Sequence, residues 1–371
     1  MKVAVCAGEK SGDILGRDLI EDLKRNNDSV TIIGVGGSLM ESSGLDSFFP
    51  ISDISYMGLI DPILNLRKIL KRRKEFINFL KKEKPDVFIG IDSPSFNSGV
   101  CKVLRKETNI KTIQYVCPQF WAWRYDRVKK FNELYHMVFS LFPFESDLLK
   151  KHKVNFSYVG HHLAQSLPKD VNKDAIKKNF NISNQKKVIA ILPGSRKSEI
   201  KYHGGPLIDF INLYKKENED SEIVLALNKL EDMPEIFEEI KDKIKIVFGE
   251  TQKVLSMADI AVVASGTATL EAAILAKPMV VIYKSNLISN FILSNFFLKS
   301  KYISLPNILS QSEIVPELRQ KKVTGLEILS KVNSVFLSES KIINQLSSLK
   351  DNLSVNDSAK FSRAIKKLIL E

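Results

Sequence analysis

Two glycine-containing turns carry the residue types that bind an anion. The first, residues 7–13, follows an apolar run at 2–6, and the second, residues 193–199, follows a similar run at 188–192. Each sequence predicts a strand, a glycine turn and a helix start, an arrangement that presents backbone N–H groups to an anion. Arg196 adds a cation to the second turn. Because the turns lie about half a chain apart, they predict two nucleotide-fold domains facing a ligand-binding cleft.

A third turn of this kind follows the apolar run at 260–264. It contains Ser265, Gly266 and Thr267, with Glu271 one helical turn further on. Hydroxyls and N–H groups at such a helix start can hold a diphosphate, and the carboxylate can accept hydrogen bonds from ribose hydroxyls. A glycine turn with a Ser/Thr helix cap and no ligand is the alternative. Together with Arg196, the turn favours ligand binding.

Asp92 is the candidate for acid–base chemistry. It follows a buried-looking strand at 86–91, and Pro94 comes two residues later. The carboxyl ends of strands are where α/β sheets place catalytic groups. The alternative is that Asp92 only caps a helix or forms a turn.

The sequence predicts no metal site and no cofactor. It has no Asp-x-Asp pair, no Cys/His ligand spacing and no His-x-x-x-His motif, which disfavours metal-dependent transfer. It also lacks a Gly-x-Ser-x-Gly elbow and a Walker lysine. His161 and His162 lie near the predicted domain junction, where a turn role without a ligand is favoured over a role in the cleft.

The elements that position these residues alternate between strands and helices, which predicts an α/β protein with two parallel sheets. The pattern fails near residues 166–187, which read as a linker with one short helix, and residues 341–370 read as amphipathic helix. We therefore predict domains at 1–165 and 166–349, with a helix at about 350–371 that packs back on the first. The predicted strands are 2–6, 31–35, 86–91, 112–116, 137–141, 188–192, 223–227, 245–248, 260–264 and 279–283.

Bulk composition fits two globular domains. The chain has 371 residues, 44% of them hydrophobic, and no apolar run of the ~18 residues that a membrane span needs. The amino-terminal residues show no signal-peptide pattern. The cysteines Cys6, Cys101 and Cys117 are scattered in or beside predicted elements, so we expect buried reduced thiols and a cytoplasmic location.

The net charge of +12 is concentrated in one segment, residues 67–84, which contains nine basic and two acidic residues. Apolar residues alternate with the charges at helical spacing. A basic amphipathic helix indicates a surface for anionic lipid, and a solvated helix is the alternative. Nucleic acid is disfavoured because no reader motif accompanies the charge. The residues assigned to this membrane surface are Leu66, Ile69, Leu70, Arg72, Arg73 and Lys74.

Taken together, these motifs resemble the lipid-A-disaccharide synthase family. The first turn continues as Ile14-Leu15-Gly16, and the second and third turns also match. The further matching motifs, in family order, are Gly34-Val35-Gly36-Gly37 with Met40, Tyr56-Met57-Gly58, Gly90-Ile91-Asp92-Ser93-Pro94, Trp121-Ala122-Trp123-Arg124, Phe142-Pro143-Phe144-Glu145, Val159-Gly160-His161 and Ser304-Leu305-Pro306-Asn307.

The resemblance implies an inverting glycosyltransferase with the two-domain B-type fold. Such an enzyme works at the cytoplasmic face of the inner membrane of Gram-negative bacteria. It joins UDP-2,3-diacylglucosamine to 2,3-diacylglucosamine 1-phosphate (lipid X) through a β-1,6 bond and releases UDP. Its partners are these substrates and anionic membrane lipids, and the sequence leaves open a homo-oligomer.

For the site, the resemblance implies that the second domain binds UDP and the first binds the acceptor. We expect Asp92 to be the general base, Arg196 to stabilise the leaving diphosphate and Glu9 to contribute to catalysis. Trp121 and Trp123 fit the core better than an acceptor wall. The expected substrate contacts are Ser11, Gly12, Asp13, Gly194, Ser195, Glu199, Ser265, Gly266, Thr267, Glu271 and Asn307.

One departure from the family concerns Ser95, which stands where members often carry a second aspartate. It leaves Asp92 as the carboxylate at this turn.

Two other classes of protein remain as alternatives. One is another UDP-sugar enzyme of the same fold, such as a cell-wall glycosyltransferase or a UDP-N-acetylglucosamine 2-epimerase. The other is a non-catalytic, membrane-peripheral nucleotide-binding protein, which would not need Asp92.

Overall fold

The computed structural model describes residues 1–55, 65–118, 125–168, 171–230, 233, 235–285 and 301–371. Trp121, Trp123 and the 56–58 motif lie outside this part of the chain. The fold divides into two compact units: Met1–His162 with Val355–Glu371, and Leu163–Ser354. The sequence predicts the first domain at 1–165, together with a helix at about 350–371, and the second domain at 166–349.

The first unit is built on a parallel sheet of seven strands in the order β3-β2-β1-β4-β5-β6-β7. Runs of Val, Ile, Phe and Ala form the central strands, because both faces of a parallel sheet are covered by helices. The strands are β1 Lys2–Ala7, β2 Thr31–Val35, β3 Asp46–Ser47, β4 Val87–Ile91, β5 Lys111–Tyr115, β6 Met137–Ser140 and β7 Phe156–Tyr158.

Helices connect the strands of the first unit. In α1, Leu15, Leu19, Ile20 and Leu23 are buried and share one face, which packs on the sheet. The helices are α1 Lys10–Arg25, α2 Ser38–Ser42, α3 Leu66–Glu83, α4 Pro94–Glu107, α5 Phe131–Leu134, α6 Pro143–Lys151 and, at the junction of the units, α7 His162–Ser166.

A helix from the carboxyl-terminal region completes this unit. Asp22 of α1 accepts hydrogen bonds from the N–H groups of Phe361 (3.3 Å) and Ser362 (3.0 Å) at the start of this last helix. The Phe361 ring packs edge-on against Tyr115 of β5, with 5.1 Å between ring centroids. The first sheet is therefore covered partly by residues that follow the second unit in sequence.

The second unit repeats the design with six parallel strands in the order β10-β9-β8-β11-β12-β13. Its strands are β8 Val188–Leu192, β9 Glu222–Leu227, β10 Lys245–Phe248, β11 Ile260–Ala264, β12 Met279–Tyr283 and β13 Glu317–Arg319. Its further helices are α8 Lys173–Asn179, α9 Lys197–Glu217, α10 Thr251–Met257, α11 Thr267–Ile274, α12 Leu305–Ser310, α13 Gly325–Leu337 and α14 Glu339–Leu353, and α15 Lys360–Leu370 belongs to the first unit.

The predicted fold class is confirmed: both units are parallel sheets covered by helices, with the strand order of nucleotide-binding folds. All ten predicted strands are present, within one residue or so at their ends. The sequence missed β3, β7 and β13, which are two or three residues long and lie at sheet edges. The predicted helix over 341–370 is two helices, α14 and α15, with a break between them. The three cysteines are buried and free, as predicted.

His161 has a packing role at the end of the first unit. It is only 6% exposed, and its ring stacks between Phe142 and His162, with centroid distances of 5.4 and 4.7 Å. Burial, reinforced by the neighbouring His162, lowers the pKa of His161 to about 3. The neutral ring is therefore the form that the native state holds at neutral pH.

We expect stability to fall when the pH drops below about 6.5. The unfolded chain then binds a proton at His161 that the native state excludes, so the stabilisation present above this pH is lost as the pH decreases. By pH 5 this single group should cost about 2 kcal/mol of unfolding free energy. Urea denaturation of the wild type and of His161→Phe between pH 7.5 and 5 measures it, because the variant should show a shallower pH dependence. Phe88→Leu is the control, because Phe88 is fully buried in β4 and packs on Phe76. It should lower stability equally at every pH, and a parallel profile for His161→Phe would contradict the prediction.

Candidate active site

Asp92 lies in a sharp turn between β4 and α4. The backbone φ angles of Asp92 and Ser93 are +52° and +39°, in the left-handed region that non-glycine residues rarely occupy. Pro94 then begins α4. The carboxylate is half-buried, and its Oδ2 accepts a hydrogen bond of 3.0 Å from Ser11 Oγ. The structure thus brings together Asp92 and Ser11, two of the predicted site residues.

The glycine turn after β1 packs directly against the turn that carries Asp92. A Cβ atom at Gly8 would lie 2.5 Å from the Cβ of Ser93, so only glycine allows this approach. Glu9 is exposed and occupies the N-cap position of α1. Glu9 and Ser11 therefore face outward at this end of the first sheet.

Gly12 and Asp13, both expected to contact substrate, make structural contacts within the first unit. Gly12 is buried, and a Cβ there would lie 3.2 Å from the Cβ of Ala7. Asp13 is 7% exposed, and its carboxylate accepts three hydrogen bonds from backbone N–H groups at the start of α2. Both oxygens of Asp13 are thus used inside the protein, which makes it a poor candidate for a base. The three donors are Gly37 (2.9 Å), Leu39 (3.2 Å) and Met40 (3.1 Å).

In the second unit, the turns after β8 and β11 line one cavity of about 360 Å³. These turns lie some seventy residues apart in sequence, and the parallel sheet places them side by side because β8 pairs with β11. Gly194 and Gly266 have φ angles of +127° and +158°, which glycine tolerates. Polar lining residues include the predicted Gly194, Ser195, Arg196, Glu199, Ser265, Gly266, Thr267 and Glu271, together with Asn228 and Thr251.

Arg196 is the cation of this cavity. Its side chain is 79% exposed and contacts Glu199, with 3.3 Å between Nη1 and Oε1. Glu199 Oε2 also accepts the N–H groups of Ser195 (3.1 Å) and Arg196 (3.3 Å). The sequence predicts that this turn presents N–H groups to an anion, and in the structure the Glu199 carboxylate accepts these two. The position of the Glu199 carboxylate therefore shows where these two N–H groups bind a negatively charged group.

Glu271 faces the same cavity from α11. Burial raises its pKa above the usual value for a glutamate. Glu271 lies one turn into the helix, and Ser265 and Thr267 line the same cavity.

Asn307 does not face the cavity. It is fully buried, and its side chain makes four hydrogen bonds within the protein, so its role is to join α12 to β13. The expected contact of Asn307 with substrate stays a prediction. Nδ2 donates to Val315 O (2.8 Å) and Glu317 Oε1 (2.9 Å), and Oδ1 accepts from Ile314 N (2.8 Å) and Val315 N (3.0 Å).

Sequence reasoning missed several supporting residues. His203 Nδ1 lies 2.6 Å from Pro193 O, and its Nε2 accepts from Lys284 N at 3.0 Å, so it ties the glycine turn to the end of β12. In the first unit, the buried amides of Asn97 and Gln114 contact the backbone at Asp92. The only sequence signal for Gln114 is a polar residue within the apolar strand β5.

The basic helix α3 exposes part of the predicted membrane surface. Leu66 and Leu70 are 52% and 42% exposed. Phe48, which stacks on Phe79 further along the helix, is 41% exposed. Ile69, by contrast, packs against the core of the first unit. Arg72 binds Asp53 (2.6 Å) and Glu75 (2.8 Å), which leaves the exposed Lys74 as the freer of the predicted cations.

The described part of the chain holds neither a cluster of metal ligands nor a helix that could span a membrane. No group of three or more His, Cys, Asp or Glu side chains in this part of the chain is arranged to hold a metal ion. Likewise, none of its helices combines the length and the apolar character needed to cross a bilayer.

Comparison with known proteins points to one family. A sequence profile described as lipid-A-disaccharide synthetase matches residues 3–367. A lipid-A-disaccharide synthase of Pseudomonas putida is 39% identical over 326 residues, which cover 87% of this chain and 86% of that protein. That of Colwellia psychrerythraea is 36% identical over 371 residues, which cover 98% and 93%.

Solved structures support the fold. The UDP-GlcNAc 2-epimerase from Neisseria meningitidis bound to UDP-GlcNAc matches with a TM-score of 0.66 at 12% identity, and 100% of each chain is covered. A glycosyltransferase from Rickettsia africae matches with a TM-score of 0.56 at 16% identity, with 100% of this chain and 98% of that chain covered. At these identities the likeness describes architecture only.

Proposed function

Because the chain belongs to the lipid-A-disaccharide synthase family, we propose that it transfers 2,3-diacylglucosamine from UDP-2,3-diacylglucosamine to 2,3-diacylglucosamine 1-phosphate. The chain is a glycosyltransferase of lipid A biosynthesis. In the proposed reaction the acceptor 6-hydroxyl attacks the anomeric carbon of the donor, a β-1,6 bond forms, and UDP leaves with inversion at that carbon.

The observation that carries the donor assignment is the cavity shared by the turns after β8 and β11. It combines a guanidinium, hydroxyls and a carboxyl group around two glycine turns, the set that a nucleoside diphosphate requires. We assign the diphosphate to Arg196, Ser265 and Thr267, and the ribose hydroxyls to Glu271. As the bond from the anomeric carbon to the diphosphate oxygen breaks, its electron pair goes to UDP, and Arg196 stabilises that charge.

The Glu199 carboxylate affects how a diphosphate can bind in this cavity. Its carboxylate accepts the same Ser195 and Arg196 N–H groups that a phosphate oxygen would use. A bound diphosphate and this carboxylate would repel each other at that place. We therefore propose that Glu199 turns away from these N–H groups when the donor binds.

We assign the acceptor proton to Asp92. The turn after β4 presents its carboxylate at the carboxyl edge of the first sheet, half-buried and oriented by Ser11. In the proposed step, Asp92 takes the proton of the 6-hydroxyl as the new bond forms. Ser95 lies on the exposed side of α4, and a hydroxyl there is not a base at neutral pH.

The test of the proposed function is a reaction of purified protein with both acylated sugars in detergent micelles. We expect equal amounts of UDP and a disaccharide 1-phosphate, and no UDP when the acceptor is omitted. A parallel incubation with UDP-N-acetylglucosamine alone should give no epimer. Epimerisation without transfer would instead support an epimerase of the same fold, and no turnover with intact UDP binding would support a non-catalytic nucleotide-binding protein.

We further propose that α3 docks the enzyme on the anionic cytoplasmic face of the inner membrane, where its acylated substrates lie. Leu66, Leu70 and Phe48 would insert shallowly, and the surrounding cations would contact headgroups. We assign a smaller part of this attraction to Arg72 and Arg73. Arg72 is paired with Asp53, and Arg73 packs on α4, where a Cβ at Gly99 would lie 2.3 Å from its Nη1.

Reversing three exposed charges on α3 should release the protein from anionic vesicles. In Arg67→Glu/Lys71→Glu/Lys74→Glu, each substitution removes a cation worth about 1 kcal/mol of attraction and adds an anion that the headgroups repel. Partitioning should therefore fall by at least about 100-fold at low salt. Co-sedimentation with phosphatidylglycerol-containing vesicles measures it. Lys216→Glu/Lys241→Glu/Lys253→Glu is the control, because it changes the net charge equally on exposed positions of the second unit. Equal release of both variants would show that overall charge, and not α3, binds the membrane.

A further inference from the structure

The backbone around Asp92 adopts an unfavourable conformation that something must hold in place. Asp92 and Ser93 are consecutive non-glycine residues with positive φ. Ser93 also precedes a proline, which normally restricts a residue to extended conformations. Strained backbone of this kind persists only where surrounding contacts over-determine it, and it concentrates at functional sites.

Two buried side-chain amides provide those contacts. The carbonyl oxygen of Asp92 accepts hydrogen bonds from Asn97 Nδ2 at 2.9 Å and from Gln114 Nε2 at 3.2 Å. The N–H of Asp92 donates to Tyr115 O at 2.8 Å. Both polar groups of this residue's backbone are thus fixed by the protein interior, and the side chain is left to face outward.

The same amides join the ends of three central strands. Asn97 Nδ2 also lies within hydrogen-bonding distance of Cys6 O in β1 (3.3 Å) and Ile91 O in β4 (3.4 Å). Gln114 Nε2 lies 3.3 Å from Tyr115 O in β5. A Cβ at Gly90 would come within 2.6 Å of the Cβ of Asn97, so the glycine leaves room for this side chain.

These contacts are poorly explained by stability alone. Asn97 and Gln114 are both fully buried, and within the described residues neither Asn97 Oδ1 nor Gln114 Oε1 accepts a hydrogen bond. An unpaired buried acceptor is costly, so an apolar side chain of similar shape would suit a purely structural position. Both of these buried amides donate a hydrogen bond to the same group, the backbone carbonyl of Asp92.

We propose that Asn97 and Gln114 are positioning residues that clamp the carbonyl of Asp92 and so orient its carboxylate for proton transfer. The proposal rests on the assignment of Asp92 as the base. It predicts that the two amides act on the rate of the chemical step through Asp92, and that they leave substrate binding unchanged.

The test combines substitution of the clamp with substitution of the base. Gln114→Met keeps the length of the side chain and removes the donor, and it should lower kcat about 10- to 100-fold while KM for both sugars changes less than twofold. In the Asp92→Asn background the same substitution should change kcat less than twofold, because no base is left to orient. Asn97→Leu should behave alike, and Gln114→Met decides the question if Asn97→Leu does not fold.

Thr112→Val is the matched control in the same strand. Thr112 is also fully buried, but its Oγ1 donates to Leu134 O (2.9 Å), away from Asp92. This variant should lose stability and keep kcat. If Gln114→Met leaves kcat unchanged, or lowers it equally in both backgrounds, the clamp is overturned and the base assignment stands. If Asp92→Asn itself turns over at the wild-type rate, the base assignment fails and the clamp with it.

Discussion

Replacing Asp92 with asparagine should lower turnover by about 10²–10⁴-fold while UDP binding persists. The asparagine side chain has the same shape and can still accept a hydrogen bond from Ser11, which lies 3.0 Å from the carboxylate. It cannot take a proton at neutral pH, so only the proton-transfer step is lost. Steady-state release of UDP measures turnover, and calorimetric titration with UDP measures binding.

Two variants with a substitution at residue 95 serve as the control and the rescue test for Asp92→Asn. Ser95→Ala should retain turnover within a factor of two, because this exposed hydroxyl has no role in the proposed chemistry. Asp92→Asn/Ser95→Asp restores a carboxylate where family members often carry one, and its rate shows whether that position can supply a base. Near-wild-type turnover of Asp92→Asn with normal UDP binding would place the base elsewhere. Glu9 would then be the next carboxylate to test, since Asp13 is committed to three backbone N–H groups.

Replacing Arg196 with alanine should weaken donor binding and lower turnover together, by about 30- to 1,000-fold overall. The loss of a charge-assisted contact to the leaving diphosphate costs roughly 2–4 kcal/mol of transition-state stabilisation. The fold should be unaffected, because the side chain is 79% exposed and its one described ion pair is with the neighbouring Glu199. Thermal denaturation of the variant checks this point.

Lys197→Ala is the control for Arg196. It removes a cation from the next residue, at the first position of α9, which is also exposed. We expect less than a threefold change in kcat/KM for this variant. A similar loss in both would indicate a general electrostatic effect on the anionic donor, and wild-type turnover of Arg196→Ala would exclude it as the leaving-group cation.

The fold was predictable because its signals are local. Short, mainly apolar runs rich in Val, Ile and Ala marked the longer strands, and glycine turns marked several helix starts. The strands β3 and β13 have two and three residues, too few for any pattern, and they form only by pairing with a longer neighbour. The candidate site residues Asp92, Arg196 and Gly266 likewise rest on local signals, namely a polar residue or a glycine at the end of a strand.

The roles of several polar residues were not predictable, because their partners are distant in sequence or are backbone groups. Asp13 binds N–H groups of a turn 24 to 27 residues further along. A glutamate three residues into a helix, such as Glu199, has the same sequence pattern whether it binds a ligand or caps the turn. In the sequence, Gln114 is only a polar residue within a buried strand. The pairing of β4 with β5 places its amide beside the carbonyl of Asp92.

The attachment of α15 to α1 has a consequence for synthesis on the ribosome. Residues Leu163–Ser354, which form the second unit, emerge before Val355–Glu371, which the first unit needs. At typical translation rates this interval lasts roughly 10–40 s. During that time Tyr115 and Phe139 lack the Phe361 ring that covers them, and Asp22 lacks its two N–H donors. The unit translated first is therefore the unit that is completed last, and its nascent form is the one with an aromatic surface for chaperones to shield.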